Sequence, residues 1–346
     1  MFKSPLSKIF VILMVVLLIL STFVGCQSKT SSQSKKIKIG FSLPTLREER
    51  YQRDRDYFVK RATELGAEVL VQAANNDENL QKSQVENLIT QGINVLVLDP
   101  QNAESAAVLV EAAHKAGIKV ISYDRLIKNA DVDVYISFDN VRVGEMQGKF
   151  LTEKVPKGNY FIFAGAPTDN NATLFKQGAM KYIQPLVDKG DIKILYDQAI
   201  KDWQPEEALR LAENALTANK NNVQAILAPN DGTAGGIIQA LEAQKLAGKV
   251  VVTGQDAELA AIKRIVAGKQ SMTVFKDVRK LAQKAAEIAV AMAQGQDISK
   301  DINGKVNNNK MDVPSILLDP VVITKDNIDK ELIESGWFTK EQVYGN

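Results

Sequence analysis

From Ile37 onward, short apolar runs alternate with segments whose apolar residues recur at helical spacing, and this rhythm limits the available folds more than any other feature. The runs are IKIGFSL, EVLVQAA, NVLVLD, KVISYD, VYISFD, NYFIFAG, IKILYDQ, VQAILAP, KVVVTGQ and SMTVF. Between most of them lie stretches such as LQKSQVENLITQG and AAVLVEAAHKAG, with apolar residues three and four apart. Strand and helix in regular succession predict parallel sheets covered by helices on both faces. Several helical patterns end at glycine (Gly66, Gly92, Gly117, Gly248, Gly268), which takes the left-handed backbone that stops a helix at little cost.

Ten such runs are many for one sheet in a chain of 346 residues. The expected fold is therefore α/β, with two doubly wound parallel-sheet lobes joined by three crossing strands. The crossings are expected after VYISFD near Asn140, at FKDVRK, and in PSILLDPVVIT. That assigns 37–140 plus 277–312 to an N-terminal lobe and 141–276 plus 313–346 to a C-terminal lobe.

The first 36 residues follow a different pattern. Lys3 and Lys8 precede the apolar block IFVILMVVLLIL, and STFVGC follows, as in a signal peptide spanning 1–25. A membrane anchor is the competing reading, but Ile9 to Gly25 is only about 17 residues, at the lower limit for a bilayer core of about 30 Å. FVGC resembles a bacterial lipobox, with Phe23 where Leu is commoner. Cys26 is the only cysteine and can form no internal disulfide. If the lipobox holds, Cys26 is the lipidated first residue of the mature chain, and each buried methylene anchors it by about 0.8 kcal/mol. Residues 26–36, polar and rich in Ser, Gln and Lys, read as a flexible tether. The expectation is an extracytoplasmic protein, lipid-anchored to the membrane at a Gram-positive-type surface.

In open parallel sheets, ligands bind beyond the carboxyl ends of the strands. Here those ends are LPTLREER, YDR, GAPTDNN, QAIKDW, APND, TGQD and VFKD, and their shared polarity predicts a polar cleft between lobes. Asp124 and Arg125 offer a carboxylate that accepts and a guanidinium fork that donates, which suits the neighbouring hydroxyls of a sugar. They serve equally as a salt bridge closing a strand end, and adjacent strand residues point to opposite faces unless the backbone turns. Asn230, Asp256, Asp169 and Asn171 are ligand candidates or helix N-caps. Lys276 is placed to neutralise a buried aspartate or to donate to a hydroxyl. Trp203, in the polar setting KDWQPEE, presents an indole that stacks on the C–H face of a sugar ring or plugs a domain edge. Arg50 is a candidate because it follows the first strand closely. The surrounding mixture of arginines and acids reads as a helix surface with local ion pairs.

Several function classes are disfavoured. The formal net charge of +2 falls to zero once Lys3 and Lys8 leave with the signal segment, unlike the basic excess of nucleic-acid binders. His114, the sole histidine, lies within a helical pattern, so no Ser/His/Asp triad is readily built. There is no Cys/His cluster and no GxxxxGK[ST] loop, so neither metal nor cofactor is expected. A glycosidase carboxylate pair stays open, because its separation is a spatial quantity.

The mature region, roughly Ile37 to Phe338, resembles the bacterial D-xylose-binding proteins of ABC importers, within the type I periplasmic sugar-binding family. The resemblance rests on LREERYQRDRDYFVKRA, GIKVISYDRLI, DVYISFDNVRVGE, PTDNNATLFKQG, ENALTAN, NDGTAGGIIQAL and GQDAELAAIKRIVAGKQSMTVFK. It implies a monomer whose lobes close on a monosaccharide, D-xylose with glucose as alternative, and deliver it to an ABC permease. A sensor kinase or chemoreceptor is a further implied partner. The family's pocket residues fall on Arg50, Asp124, Arg125, Asn171, Trp203, Asn230, Asp256 and Lys276, with Asp169 as an additional candidate. An exported glycosidase and a sugar-sensing repressor are the other readings. The repressor needs a helix-turn-helix where this chain carries its leader.

Overall fold

A computed structural model describes residues 36–345; the signal segment, Cys26 and most of the tether lie outside them. The chain begins with β1 (Lys38–Leu43), α1 (Glu49–Glu64), β2 (Glu68–Ala73), α2 (Glu78–Thr90), β3 (Val95–Leu98), α3 (Ala107–Lys115), β4 (Lys119–Tyr123) and β5 (Val134–Phe138). It continues through α4 (Asn140–Lys154), β6 (Gly158–Ala164), α5 (Asn170–Asp188), β7 (Ile192–Ala199), α6 (Pro205–Ala218), β8 (Ala225–Leu227) and α7 (Asp231–Ala243). Then come β9 (Val251–Val252), α8 (Leu259–Val266), β10 (Thr273–Phe275), α9 (Val278–Ala293), β11 (Gly304–Asn307), β12 (Asp312–Leu318), β13 (Val321–Ile323) and α10 (Lys340–Tyr344).

The strands form two lobes. In the first, the order is β11-β12-β5-β4-β3-β1-β2, parallel except for β11 against β12. In the second it is β7-β6-β8-β9, all parallel. Backbone bonds from Val274 N to Gly254 O (3.1 Å) and from Asp256 N to Val274 O (2.8 Å) carry this sheet on to β10, which pairs antiparallel with β13. Both sheets bury both faces. Val95 and Val97 of β3 pack with Phe58 and Leu281, whereas Leu96 and Leu98 pack with Val85 and Leu109 on the other side. Such two-sided burial explains why the strands read as continuous apolar runs. Strand order reverses beside β1 and beside β6, so each lobe opens a crevice at its carboxyl edge.

The chain crosses between lobes three times. It leaves the first sheet after Phe138, returns between Phe275 and Val278, and crosses again between Leu318 and Val321. This differs from the sequence expectation at one boundary. β12 stays paired with β5 as far as Leu318↔Phe138, so the division expected at 312/313 marks the start of β12, while the crossing comes at its end. PSILLDPVVIT is one apolar run broken only by Pro320, and nothing in its pattern shows where the pairing partner changes. The tail differs too. Ile328, Leu332, Trp337 and Phe338 share a core with Phe41 and Phe58 of the first lobe and with Ala257 and Ile262 of the second. Trp337 Nε1 donates to Ala257 O at 3.1 Å, and the Arg53 guanidinium lies 4.2 Å from the Trp337 ring centre. Residues 313–346 therefore do not belong to the second lobe alone.

One packing contact depends on absent side chains. α4 and α5 approach so closely that a Cβ at Gly148 would lie 2.3 Å from Ala179 O. Gly148→Ala must push the helices apart. The expected cost is about 1–3 kcal/mol, typical of overpacking, seen as a melting temperature a few degrees lower. An unchanged melting temperature would show that this pair has room to spare.

Candidate ligand-binding site

β4 ends where it does because Asp124 takes φ 54°, a left-handed conformation uncommon outside glycine. Arg125 N then donates back to Tyr123 O at 2.6 Å. Three donors converge on the Asp124 carbonyl: Ser137 Oγ at 2.7 Å, Tyr135 OH at 2.9 Å and Asn171 Nδ2 at 3.1 Å. Strained backbone persists where its surroundings over-determine it. This turn lets Asp124 and Arg125 line one cavity although they are sequence neighbours.

The charges around them are paired. Arg50, in the first turn of α1, places Nη1 3.0 Å from Asp124 Oδ1 and Nη2 3.0 Å from Asp54 Oδ2, and the Tyr123 hydroxyl donates to Asp54. One of the expected ion pairs along the helix is partly exposed, Arg53 with Glu49 at 2.7 Å. Arg50 and Asp54, with the same spacing, are buried. Arg125 donates through Nη2 to Tyr51 OH at 2.9 Å; its Nε lies 3.0 Å from Asp169 Oδ2 of the second lobe and 3.6 Å from Asp99 Oδ1 of its own. Lys276 Nζ lies 3.0 Å from Asp256 Oδ1. Burial alone would push the Asp124 carboxyl up, but Arg50, Lys276 and Arg125 together hold it below its usual range. Burial wins for Asp99, which rises well above the usual range, and takes Asp54 to about 6 despite the opposing Arg50.

The second lobe contributes its own strand ends and helix starts. Asn230 caps α7, its Oδ1 accepting from Thr233 N at 3.0 Å, and also lines the cavity. Asp169 Oδ1 caps α5 through Asn171 N at 2.8 Å while Oδ2 faces Arg125. Asp256 caps nothing: with φ 94° its backbone turns away before α8, whose N-cap position is Glu258. Asp231, beside Asn230, is instead a structural bracket, accepting from Glu258 N, Thr273 Oγ1 and Gln270 Nε2. Trp203 lies over Gly165, where a Cβ would come within 2.0 Å of the indole, so only glycine admits the ring in this pose.

These groups line a cavity between the lobes with about 340 Å³ of empty space, open solvent included. All nine residues singled out from sequence line it, namely Arg50, Asp124, Arg125, Asp169, Asn171, Trp203, Asn230, Asp256 and Lys276. Glu48, Tyr51, Phe175 and Gln255 line it too and were not foreseen. Tyr51 and Phe175 occupy helical positions that read as core, and Glu48 hides in a run of mixed charges. Their adjacency to strand ends and first helical turns was the available signal. Among the described residues, Trp203 Nε1, Gln255 Oε1, Glu48 Oε2, Arg125 Nε and Asp256 Oδ1 line the cavity buried without a hydrogen-bond partner, although the last two each face an opposite charge at 3.0 Å.

A periplasmic binding protein domain matches residues 39–297. The chain belongs to the periplasmic binding protein family. It is 52% identical over 327 residues to a D-xylose-binding periplasmic protein of Haemophilus influenzae, covering 94% of this chain and 98% of that one. It is 51% identical over 316 residues to the protein of the same name from Escherichia coli, covering 91% and 95%. Among solved structures, a carbohydrate transporter solute-binding protein of Chloroflexus aurantiacus in complex with D-glucose aligns with TM-score 0.84 at 38% identity, covering 89% and 98%. This periplasmic binding protein is thus related to binding proteins and not to enzymes, so the glycosidase reading falls.

The Asp124 turn yields a direct test. Ser137→Ala removes a buried donor from the strained carbonyl and a partner of Asn140 Nδ2. It should lower the unfolding free energy in a denaturant titration by about 1–2 kcal/mol. No loss would mean Tyr135 and Asn171 suffice to hold the turn.

Proposed function

We propose that this protein captures D-xylose between its lobes outside the cytoplasm and delivers it to an ABC permease. The observation that carries the reading is the internal balance of the cavity. Arg50, Arg125 and Lys276 face Glu48, Asp124, Asp169 and Asp256, and nearly every charge already has its opposite. Such a site suits a ligand that is polar but uncharged, with hydroxyls that both donate and accept. The unpartnered Trp203 Nε1 and Gln255 Oε1 supply one donor and one acceptor for it. Trp203, Tyr51 and Phe175 add aromatic surface to the cavity wall, of the kind that packs against the C–H sides of a pyranose. The names of the half-identical relatives favour D-xylose, and the glucose-bound relative keeps D-glucose as the second ligand.

In this mechanism the open cleft is wet, because its buried charges need partners. Sugar hydroxyls replace the water, and the lobes close about the three crossings. A micromolar complex needs roughly 8 kcal/mol, which several charge-assisted hydrogen bonds supply after the cost of association. Sites on Arg50, Asp124, Arg125, Asn171, Trp203, Asn230, Asp256 and Lys276, with Asp169 orienting Arg125, make those bonds. The closed form is what the permease recognises, and a sensor kinase or chemoreceptor would read the same form. Residues 1–25 serve as the leader and 26–36 as a tether from lipidated Cys26, so the protein stays at the membrane as a monomer.

Calorimetric titration with D-xylose, D-glucose and D-ribose tests the ligand. D-xylose should bind tightest, and Trp203→Ala should weaken it about tenfold or more; absence of heat with every sugar would end the proposal. For the anchor, Cys26→Ser should move the protein from membranes to the soluble fraction, and continued membrane retention would refute lipidation.

A further inference from the structure

Arg47 lies between β1 and α1, in the first lobe, yet its Nη2 donates to the Asp202 carbonyl of the second lobe at 2.8 Å. Trp203 O stands 3.5 Å from the same nitrogen. The loop that carries Arg47 is anchored: Arg47 N donates to buried Thr45 Oγ1 at 3.0 Å, and Gln52 Nε2 donates to Leu46 O at 3.0 Å. The turn that receives the arginine is strained. Asp202 and Trp203 have φ of 49° and 56°, two successive left-handed residues, neither of them glycine. For a bulky side chain that is a real outlier, held in place by its surroundings. From within the second lobe the segment is fixed at its flanks, by Ile200 N to Ala164 O at 2.9 Å and Gln204 N to Lys201 O at 3.1 Å. Arg47 supplies the donor at its centre.

The same guanidinium pairs with Glu48 Oε1. The other oxygen of that carboxylate, Oε2, is buried without a partner, and Glu48 lines the cavity. A continuous path therefore runs from the cavity through Glu48, Arg47 and the Asp202 carbonyl to Trp203, whose unpartnered Nε1 belongs to the cavity again.

We propose that Arg47 is a positioning residue that bolts the closed lobes together, tying the Glu48 carboxylate to the Asp202–Trp203 turn and holding the indole against the ligand. The proposal rests on the reading of the cavity as a sugar site. Arg47 does not line the cavity, so it acts through its neighbours. With the lobes apart the turn loses its central donor, and Trp203 is free to shift. Arg47 then governs release rather than encounter, because the bolt forms only after the ligand is enclosed. Its side chain is 38% exposed, so water competes and the effect is moderate.

Stopped-flow tryptophan fluorescence of the mature protein with D-xylose tests this on wild type, Arg47→Ala and Arg47→Lys. Arg47→Ala should raise the release rate by about five- to tenfold and leave association within about twofold. The melting temperature of the sugar-free protein should not change, and Arg47→Lys should restore part of the slow release. Wild-type binding combined with an unchanged release rate in Arg47→Ala overturns the bolt alone. So does a fall in the sugar-free melting temperature that the lysine variant does not repair. Failure of the wild type to bind D-xylose overturns the sugar reading and the bolt together.

Discussion

Arg125 cannot be buried by one lobe. A guanidinium taken out of water costs several kcal/mol unless carboxylates and hydrogen-bond acceptors surround it. Asp99 of the first lobe stands 3.6 Å away, while Asp169 of the second reaches 3.0 Å. The other cavity charges are paired within their own lobes, Arg50 between Asp54 and Asp124 in the first and Lys276 beside Asp256 in the second. Arg125 with Asp169 is the pair in which one lobe supplies what the other lacks. With these pairs made, the unpaired groups of the cavity include a donor, Trp203 Nε1, and an acceptor, Gln255 Oε1.

The backbone is bent hardest in the same place. Asp124, Asp202, Trp203, Asp256 and Ala257 all have positive φ, and Asp124, Trp203 and Asp256 line the cavity. Regular strands would send successive side chains to opposite faces. The left-handed turns at Asp124 and Asp256 break that alternation and aim neighbouring polar groups into one space. Strain of this kind is tolerated because it is shared with the lattice of hydrogen bonds around it, such as the three donors on the Asp124 carbonyl.

Much of this was legible in the residues. Two-sided burial made the strands visible as apolar runs, and the carboxyl-edge rule pointed to Asp124, Asn230, Asp256 and Lys276 before any geometry was known. Other features were not. Whether Asn230 and Asp169 were caps or cavity groups was a false choice, since each caps its helix and lines the cavity as well. Tyr51 and Phe175 resembled core because an aromatic at helical spacing packs the same way in a core and in a cavity wall. The end of β12 was hidden because a strand that changes sheets keeps its apolar pattern, and pairing between Leu318 and Phe138 is a long-range fact. Arg47 gave no signal, since reach across a cleft depends on where the other lobe lies.

The shared core built by Ile328, Leu332, Trp337 and Phe338 has a bearing on how the molecule comes into being. The first sheet needs β12, and the seam beside the crossings needs the last twenty or so residues, so its contacts join the two extremities of the polypeptide. Topologies dominated by such distant contacts fold slowly, because their loops must close before they are rewarded. Neither lobe is finished while the C-terminus is still being made. A nascent chain of this design stays unsettled until its final segment arrives.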